Sequence, residues 1–366
     1  MEQVKLSNHE IMAMMTLFLV GTTIVVGMDF TLGRDVWIAQ LLSAGFGCAL
    51  LYVYLYLHRL QGWDNLISLL EKGFGKAIGS ILGLLYCLYF LYIAARVVRD
   101  FSFFISTVLF HQADNWVIIL TFLLAVLYTL RLGVEAIGRS ALLFLLFGVV
   151  MILFLIVFGL FSPQFEIQNF TPFLQSGWKE VMKSVFPRGI TFPFGELIVF
   201  MMIFPYSNDH QNLMRYAWVP VCITALLLVL AGVMIIGIMS PELASFFIFP
   251  FVKSVEIITF LQVFQHLEII AVLLNLLGGY IKFSIFLYAG VQGFRQIFRL
   301  KQRLWHLFLA GILVFLLSFT FSQNIIQHLE VGLRFVPIYL HIPMQILLPF
   351  LLLVMLWITK RFQKSH

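Results

Sequence analysis

The residues of this sequence that could do chemistry are a handful of charges in apolar surroundings. Arg96, Arg99 and Asp100 lie in one long hydrophobic run, Glu196 in another, and Glu268, Asn275 and Lys282 in a third. An ionisable side chain at bilayer depth costs at least about 2.5 to 3.5 kcal/mol on insertion scales, so each of these wants a partner, a wet cavity or a task. Arg96 and Asp100 are spaced i, i+4 and are expected to pair along one helix face. Glu196 sits among prolines and glycines, where it can cap freed backbone, bind an amine or pair with a buried cation. Glu268, Asn275 and Lys282 recur at a seven-residue spacing, two helical turns apart. They form one stripe that is expected to face the protein interior. Lys282 in that stripe either replaces the cation of an ion-coupled carrier or snorkels to the membrane boundary.

Spacing speaks against other chemistries. The nine histidines contain no HExxH or other paired ligand spacing and are read as interfacial residues. Cys48, Cys87 and Cys222 fall in apolar runs too far apart for a disulfide framework or a CxxC site, and are read as buried small hydrophobes. Gly73-Phe74-Gly75-Lys76-Ala77-Ile78-Gly79 misses the G-x-G-x-x-G spacing and follows no strand, so it is read as a loop between helices. No nucleophile, base and orienting group occur together, and the sequence implies no enzyme, no cofactor and no metal site. The net charge of +6 resides in short loops, where it sets membrane orientation rather than binding nucleic acid.

The elements that must position these charges are membrane helices. The chain is 61% hydrophobic and 11% charged, against about 25% charged residues in a soluble domain. The bilayer is therefore its solvent, and the fold class is all-α integral membrane. Runs long enough to span, about 20 residues each, fit ten times, near 9–27, 36–57, 79–109, 116–130, 140–161, 184–206, 216–239, 264–292, 304–321 and 336–358. The first run has no small-residue cleavage site after it and is read as a span rather than a removable signal. Segments 162–183 and 240–263 read as interfacial or re-entrant pieces, so residues 1–366 form a single transmembrane domain. Assigning alternate loops to the two faces puts 14 Lys and Arg on one side and 6 on the other, which predicts cytoplasmic N and C termini.

Two of these spans carry interruptions. Ser7-Asn8-His9-Glu10 has the form of a capping box that starts the first helix, and Gly21-Thr22-Thr23-Ile24-Val25-Val26-Gly27 then brackets a β-branched run with glycines. Five spans later, Pro187-Arg188-Gly189-Ile190-Thr191-Phe192-Pro193-Phe194-Gly195-Glu196 combines two prolines, two glycines and a carboxylate. Matching breaks in two five-helix halves, about 8–161 and 184–358, point to an inverted-repeat transporter whose unwound backbone serves a midplane ligand. The ligand-binding residues expected on this basis are Gly21, Thr22, Thr23, Ile24, Gly27, Phe194, Gly195 and Glu196. Arg96, Asp100, Glu268, Asn275 and Lys282 are the buried-charge or gating candidates. The competing reading is that Gly21, Gly27 and Gly195 only allow close helix packing.

The Gly21-to-Ile24 break, the Gly33-Arg34-Asp35-Val36-Trp37-Ile38 loop, the Phe194-Gly195-Glu196 stretch and the ten-span layout resemble the permease-like B subunits of spore germinant receptors, within the amino acid-polyamine-organocation transporter superfamily. The resemblance spans essentially the whole chain. It implies a five-plus-five inverted repeat, a spore inner membrane, a receptor A subunit and a lipoprotein C subunit as partners, and a small nutrient ligand such as an amino acid. Relatives often carry a proline soon after the first broken helix, where this chain reads Gly27-Met28-Asp29. A stand-alone secondary amino-acid transporter, coupled to protons or a cation through Glu196, Glu268 or Lys282, uses the same pocket and stays open as an alternative.

Overall fold

The computed structural model describes residues 5–27, 29–110, 112–258, 266–301, 304–320, 322 and 324–364. Among them the only extended pairing is an isolated bridge between Leu6 and Ser207. All other regular structure is helical: α1 (Asn8–Val20), α2 (Val36–Leu60), α3 (Leu66–Phe74), α4 (Lys76–Val108), α5 (Asn115–Leu132), α6 (Val134–Leu160), α7 (Gly177–Ser184), α8 (His210–Tyr216), α9 (Val219–Met239), α10 (Pro241–Phe246), α11 (Pro250–Ile257), α12 (Glu268–Ile297), α13 (Leu304–Thr320), α14 (Ile325–Glu330) and α15 (Leu348–Lys364), with π and 3-10 turns between several of them.

Nine helical stretches among the described residues are long and apolar enough to cross a bilayer. They begin with Asn8–Val26 and include Gly177–Met202 and Pro337–Lys360. The remaining expected span, 304–321, is α13, whose 17 residues reach only about 25 Å at 1.5 Å per residue. The α1 start is the expected capping box: Glu10 N donates to Ser7 Oγ at 3.2 Å and Ser7 N to Glu10 Oε2 at 2.7 Å.

Two local expectations are corrected, and one short helix is added. The 73–79 stretch is not a loop: α3 and α4 meet at the single residue Gly75, whose φ of +80° suits glycine. The amphipathic α3, unforeseen as an element, buries Leu66, Ile67, Leu69 and Leu70. The last span is not a plain helix over 336–358. It comes out of α14 through π turns at Val331–Phe335 and Pro337–Leu347 before α15 begins. Its physical cause is Pro343, which has no N–H to donate and cannot continue the ladder.

The interior is formed by α1, α4, α9, α12 and the Gly177–Met202 stretch, with α12 packed along α4, α6 and α1. At the α1–α12 crossing the backbones of Gly21 and Gly278 touch, so a Cβ on either would fall on the other's Cα. Small residues permit such an approach in membranes. The outer helices carry their hydrophobic side chains outward, as in Leu142, Leu146 and Val150 on α6 and Ile312 and Leu316 on α13. That outward apolar surface suits lipid rather than water.

Candidate functional site

Three spans meet at one ammonium. The first span leaves α-helical geometry after Val20, passes through Gly21-Thr22 and continues as a π turn over Thr23–Gly27. The sixth is a π turn over Val185–Gly189, a turn at Phe192-Pro193 and a 3-10 helix over Phe194–Met202. Into the gap between them α12 extends Lys282, whose Nζ lies 2.6 Å from Glu196 Oε2 and donates to Thr22 Oγ1 at 3.2 Å. The rings of Phe192 and Phe18, at 4.4 and 5.2 Å from Nζ, complete its shell. With 0% and 3% side-chain exposure, Lys282 and Glu196 are a buried pair, so the snorkelling expectation for Lys282 is corrected.

The pair forms one wall of a central cleft with about 470 Å³ of atom-free space, mouth included, which Thr22, Arg96, Asp100, Phe192 and His341 also line. The expected Arg96–Asp100 pair is absent among the described ion pairs. Both residues instead hold His328: Asp100 Oδ1 lies 2.9 Å from its Nε2, and Arg96 Nη2 donates to its carbonyl at 2.7 Å. The reason is geometric, since α14 and the following π turn bring the loop backbone against α4, and Gly332 leaves room for the Arg96 guanidinium. Arg96 Nη1 is buried without a hydrogen-bond partner. His328 is fixed further by Ser322 Oγ, 2.8 Å from Nδ1.

A flanking cleft, about 400 Å³ of atom-free space, lies on the other side of Phe192. Thr23, Asp29, Gln40, Ser43, Arg188 and Phe194 line it. Arg188 and Asp29 pair at 3.3 Å, and Ser184 Oγ donates to Asp29 Oδ2 at 2.9 Å. Both polar atoms of the Gln40 amide are buried without a partner.

The structure therefore brings Thr22, Arg96, Asp100, Glu196 and Lys282 together, and places Thr23 and Phe194 in the adjacent cleft. Gly27 ends the π turn, and Ile24 is buried in the hydrophobic core. Gly21 is occupied with Gly278, and Gly195 with Gln345, whose Oε1 sits where a Cβ would go. The expected stripe on α12 is divided: Asn275 is buried, but Glu268 lies at the helix start beside exposed His266, 2.9 Å from its Nδ1, and does not reach the cleft.

Sequence reading missed the histidines. His58, His328 and His341 are buried, so the interfacial reading is corrected for all three. His341 Nδ1 is 2.7 Å from Tyr89 Oη, and Gln345 Nε2 donates to the same hydroxyl at 2.8 Å. Pro349 has no N–H to offer the turn before it, and carbonyls there accept from tyrosines instead: Tyr86 Oη donates to Met344 O at 2.6 Å and Tyr54 Oη to Gln345 O at 2.7 Å. Pro337 and Pro343 within one apolar run were the available signal. Among the described residues no three of His, Cys, Asp and Glu converge as metal ligands.

Comparison with known proteins agrees with this architecture. The chain is 32% identical to spore germination protein KB of Bacillus subtilis (strain 168), over 100% of this chain and 98% of that protein. It is 25% identical to spore germination protein A2 of the same organism, over 89% of this chain and 87% of the relative, and 21% identical to spore germination protein B2, over 68% and 69%. The profile of the spore germination protein family, a family of permease type, matches residues 5–326, and the chain belongs to that family.

Proposed function

We propose that this chain is the transporter-like subunit of a spore germinant receptor and that it binds a small zwitterionic nutrient, an amino acid, in the central cleft. The observation that carries the reading is the charge balance there. Arg96 and Lys282 face Asp100 and Glu196, so a ligand with one carboxylate and one ammonium adds no net charge to a buried site. Arg96 Nη1, buried and unpartnered, is a ready donor for the carboxylate. Asp100 and Glu196 are the acceptors for the ammonium. Preferential binding to one conformer shifts the complex toward germination, with no need for the ligand to cross the membrane.

In this reading the two interrupted spans are equivalent members of a five-plus-five inverted repeat, halves 8–161 and 184–358, with both termini cytoplasmic in the spore inner membrane. An A subunit and a lipoprotein C subunit are its partners. A stand-alone amino-acid transporter is the second reading, favoured by the Lys282 ammonium standing where a coupled carrier would hold a cation. Radiolabelled amino-acid uptake into vesicles carrying this chain alone separates the two.

Spores lacking the chain are to be scored for germination against amino acids, sugars and nucleosides, beside spores carrying Arg96→Gln. Loss of an amino-acid response on deletion is expected. The variant should need roughly 10- to 100-fold more of that amino acid, the worth of a charged hydrogen bond. Full retention of sensitivity at normal membrane abundance would place the ligand elsewhere.

A further inference from the structure

We infer that the bundle holds a tightly bound anionic phospholipid where the α5–α6 turn meets the C-terminal end of α12, with its headgroup in a basic hollow and an acyl chain in the apolar groove beside it. The hollow has about 850 Å³ of atom-free space and is lined by Arg131, Tyr206, Tyr288, Gln292 and Arg295. The groove, about 680 Å³, runs between α4, α12 and α13 over Leu91, Phe294, Leu309 and Leu313. Val291 and Arg295 belong to both walls, so the two spaces adjoin.

Charge selects the headgroup. Among the described residues no carboxylate lines either space or pairs with Arg131 or Arg295. Arg295 donates only to Gln292 Oε1, at 3.0 Å, and its Nε is buried without a partner. The 27-residue α6 starts in the hollow at Gly133 and Val134 without a side-chain cap, so its first N–H groups and positive dipole end face the same space. Tyr288 Oη donates to Tyr206 Oη at 2.9 Å, which leaves the Tyr206 proton for an acceptor. A phosphodiester supplies the acceptors and the negative charge that this wall lacks. The groove supplies the rest: its lining is apolar except at Arg295 and His306, and half-exposed Trp305 lies at its end, as tryptophan does at a membrane boundary. Basic pockets between membrane helices take anionic headgroups for these reasons.

The test is lipid retention by the purified full chain in mild detergent, read by native mass spectrometry after supplying phosphatidylglycerol and phosphatidylcholine of matched acyl chains. At about fivefold per arginine, wild type should retain the anionic lipid roughly 30-fold over the zwitterionic one. Arg131→Gln with Arg295→Gln should bring the ratio close to unity, whereas Arg139→Gln, on α6 outside the hollow, should leave it unchanged. If the double variant does not accumulate, Ala310→Trp narrows the groove and keeps both arginines, and is expected to lower retention of the anionic lipid. Equal retention of the two lipids by wild type overturns the site, and so does an equal loss with Arg139→Gln, which would reduce it to general surface charge. Displacement of the lipid by glycerol phosphate, which has no acyl chain, or a polypeptide found in the groove in place of lipid, overturns it as well.

Discussion

Two ion pairs lie on either side of Phe192, and they differ in closeness and burial. Lys282 and Glu196 approach to 2.6 Å with side chains 0% and 3% exposed, held by Thr22 and two aromatic rings. Arg188 and Asp29 stand 3.3 Å apart with 20% and 18% exposure, beside the open flanking cleft. Removing one partner of a buried pair strands a charge that water cannot reach, so the inner pair is locked by the cost of opening it. The outer pair, about four-fifths buried, borders the flanking cleft and costs less to open than the inner one. If the chain is the receptor subunit proposed above, it must rest stably and still respond, and needs both.

The largest effect is expected from breaking the inner pair from one side. Lys282→Ala leaves Glu196 unpaired at a cost of about 3–5 kcal/mol, a large share of the roughly 5–15 kcal/mol that keeps a typical domain folded. Membrane abundance of the chain should collapse, and Lys282→Met with Glu196→Gln should recover much of it because neither charge is then left alone. Normal abundance of the single variant, measured by immunoblot of washed membranes, would remove the difference between the two pairs.

Next in size is the crossing that holds α12 in place behind the inner pair. Gly21→Leu puts a side chain into the backbone of Gly278, and overpacking of this kind costs about 1–3 kcal/mol. The loss should show in thermal unfolding and assembly before any change in ligand sensitivity. A Gly21→Leu chain that assembles at wild-type level but has lost its ligand response would return Gly21 to the pocket and revive the reading in which its space belongs to the ligand.

What the sequence revealed and what it hid follow from the range of the interactions. Spans were legible because twenty consecutive apolar residues are a local signal, and the first and sixth interruptions because glycine and proline act on their own turn of helix. Thr22, Glu196 and Lys282 were each picked out by being polar in apolar surroundings. Their meeting was not legible: Lys282 reaches a residue 260 positions away and Arg96 one 232 positions away, and no spacing rule covers such contacts. Arg96 and Asp100 had the right i, i+4 geometry to pair, yet the His328 backbone and ring outcompeted that local solution. Gly21 was conspicuous, and the structure sets its backbone against Gly278; a glycine that frees backbone for a ligand and one that admits another helix look alike in sequence. The prolines of the last span were visible, and their weight was underestimated because proline at a helix start is harmless while Pro343 lies deep inside the described helical run that begins at Ile325.

The outer pair should yield more quietly. Arg188→Gln removes its cation and leaves a shorter neutral amide, and the stability change should be smaller than that of Lys282→Ala, because Asp29 borders the cleft and keeps the Ser184 hydroxyl as a donor. Abundance and assembly are expected at wild-type level. The germination lag should shorten, and its dependence on salt should weaken, because the contact that screening loosens is already gone. A collapse in abundance equal to that of Lys282→Ala would mean that both pairs are structural and that the contrast in exposure carries no functional meaning.

The sharpest test of the partition itself is Phe192→Leu, whose main expected effect is on ligand preference. Phe192 borders both clefts and its ring lies 4.4 Å from the Lys282 ammonium. Leucine keeps an apolar wall of lesser reach and gives up the cation–ring contact, worth about 0.5–2 kcal/mol. The inner pair itself should survive, since Glu196 and Thr22 still hold Lys282, so membrane abundance should fall little. What changes is the space between the clefts: a shorter side chain joins them, and ligands with one or two additional methylenes should gain relative to the smallest effective amino acid. A pocket discriminates such methylenes by about 1–3 kcal/mol, or roughly 10- to 200-fold, so even a partial opening is measurable as a change in the order of potency across a homologous series from glycine to leucine. If that order is untouched while abundance is normal, Phe192 is not a wall between ligand spaces, and the two ion pairs differ in burial alone.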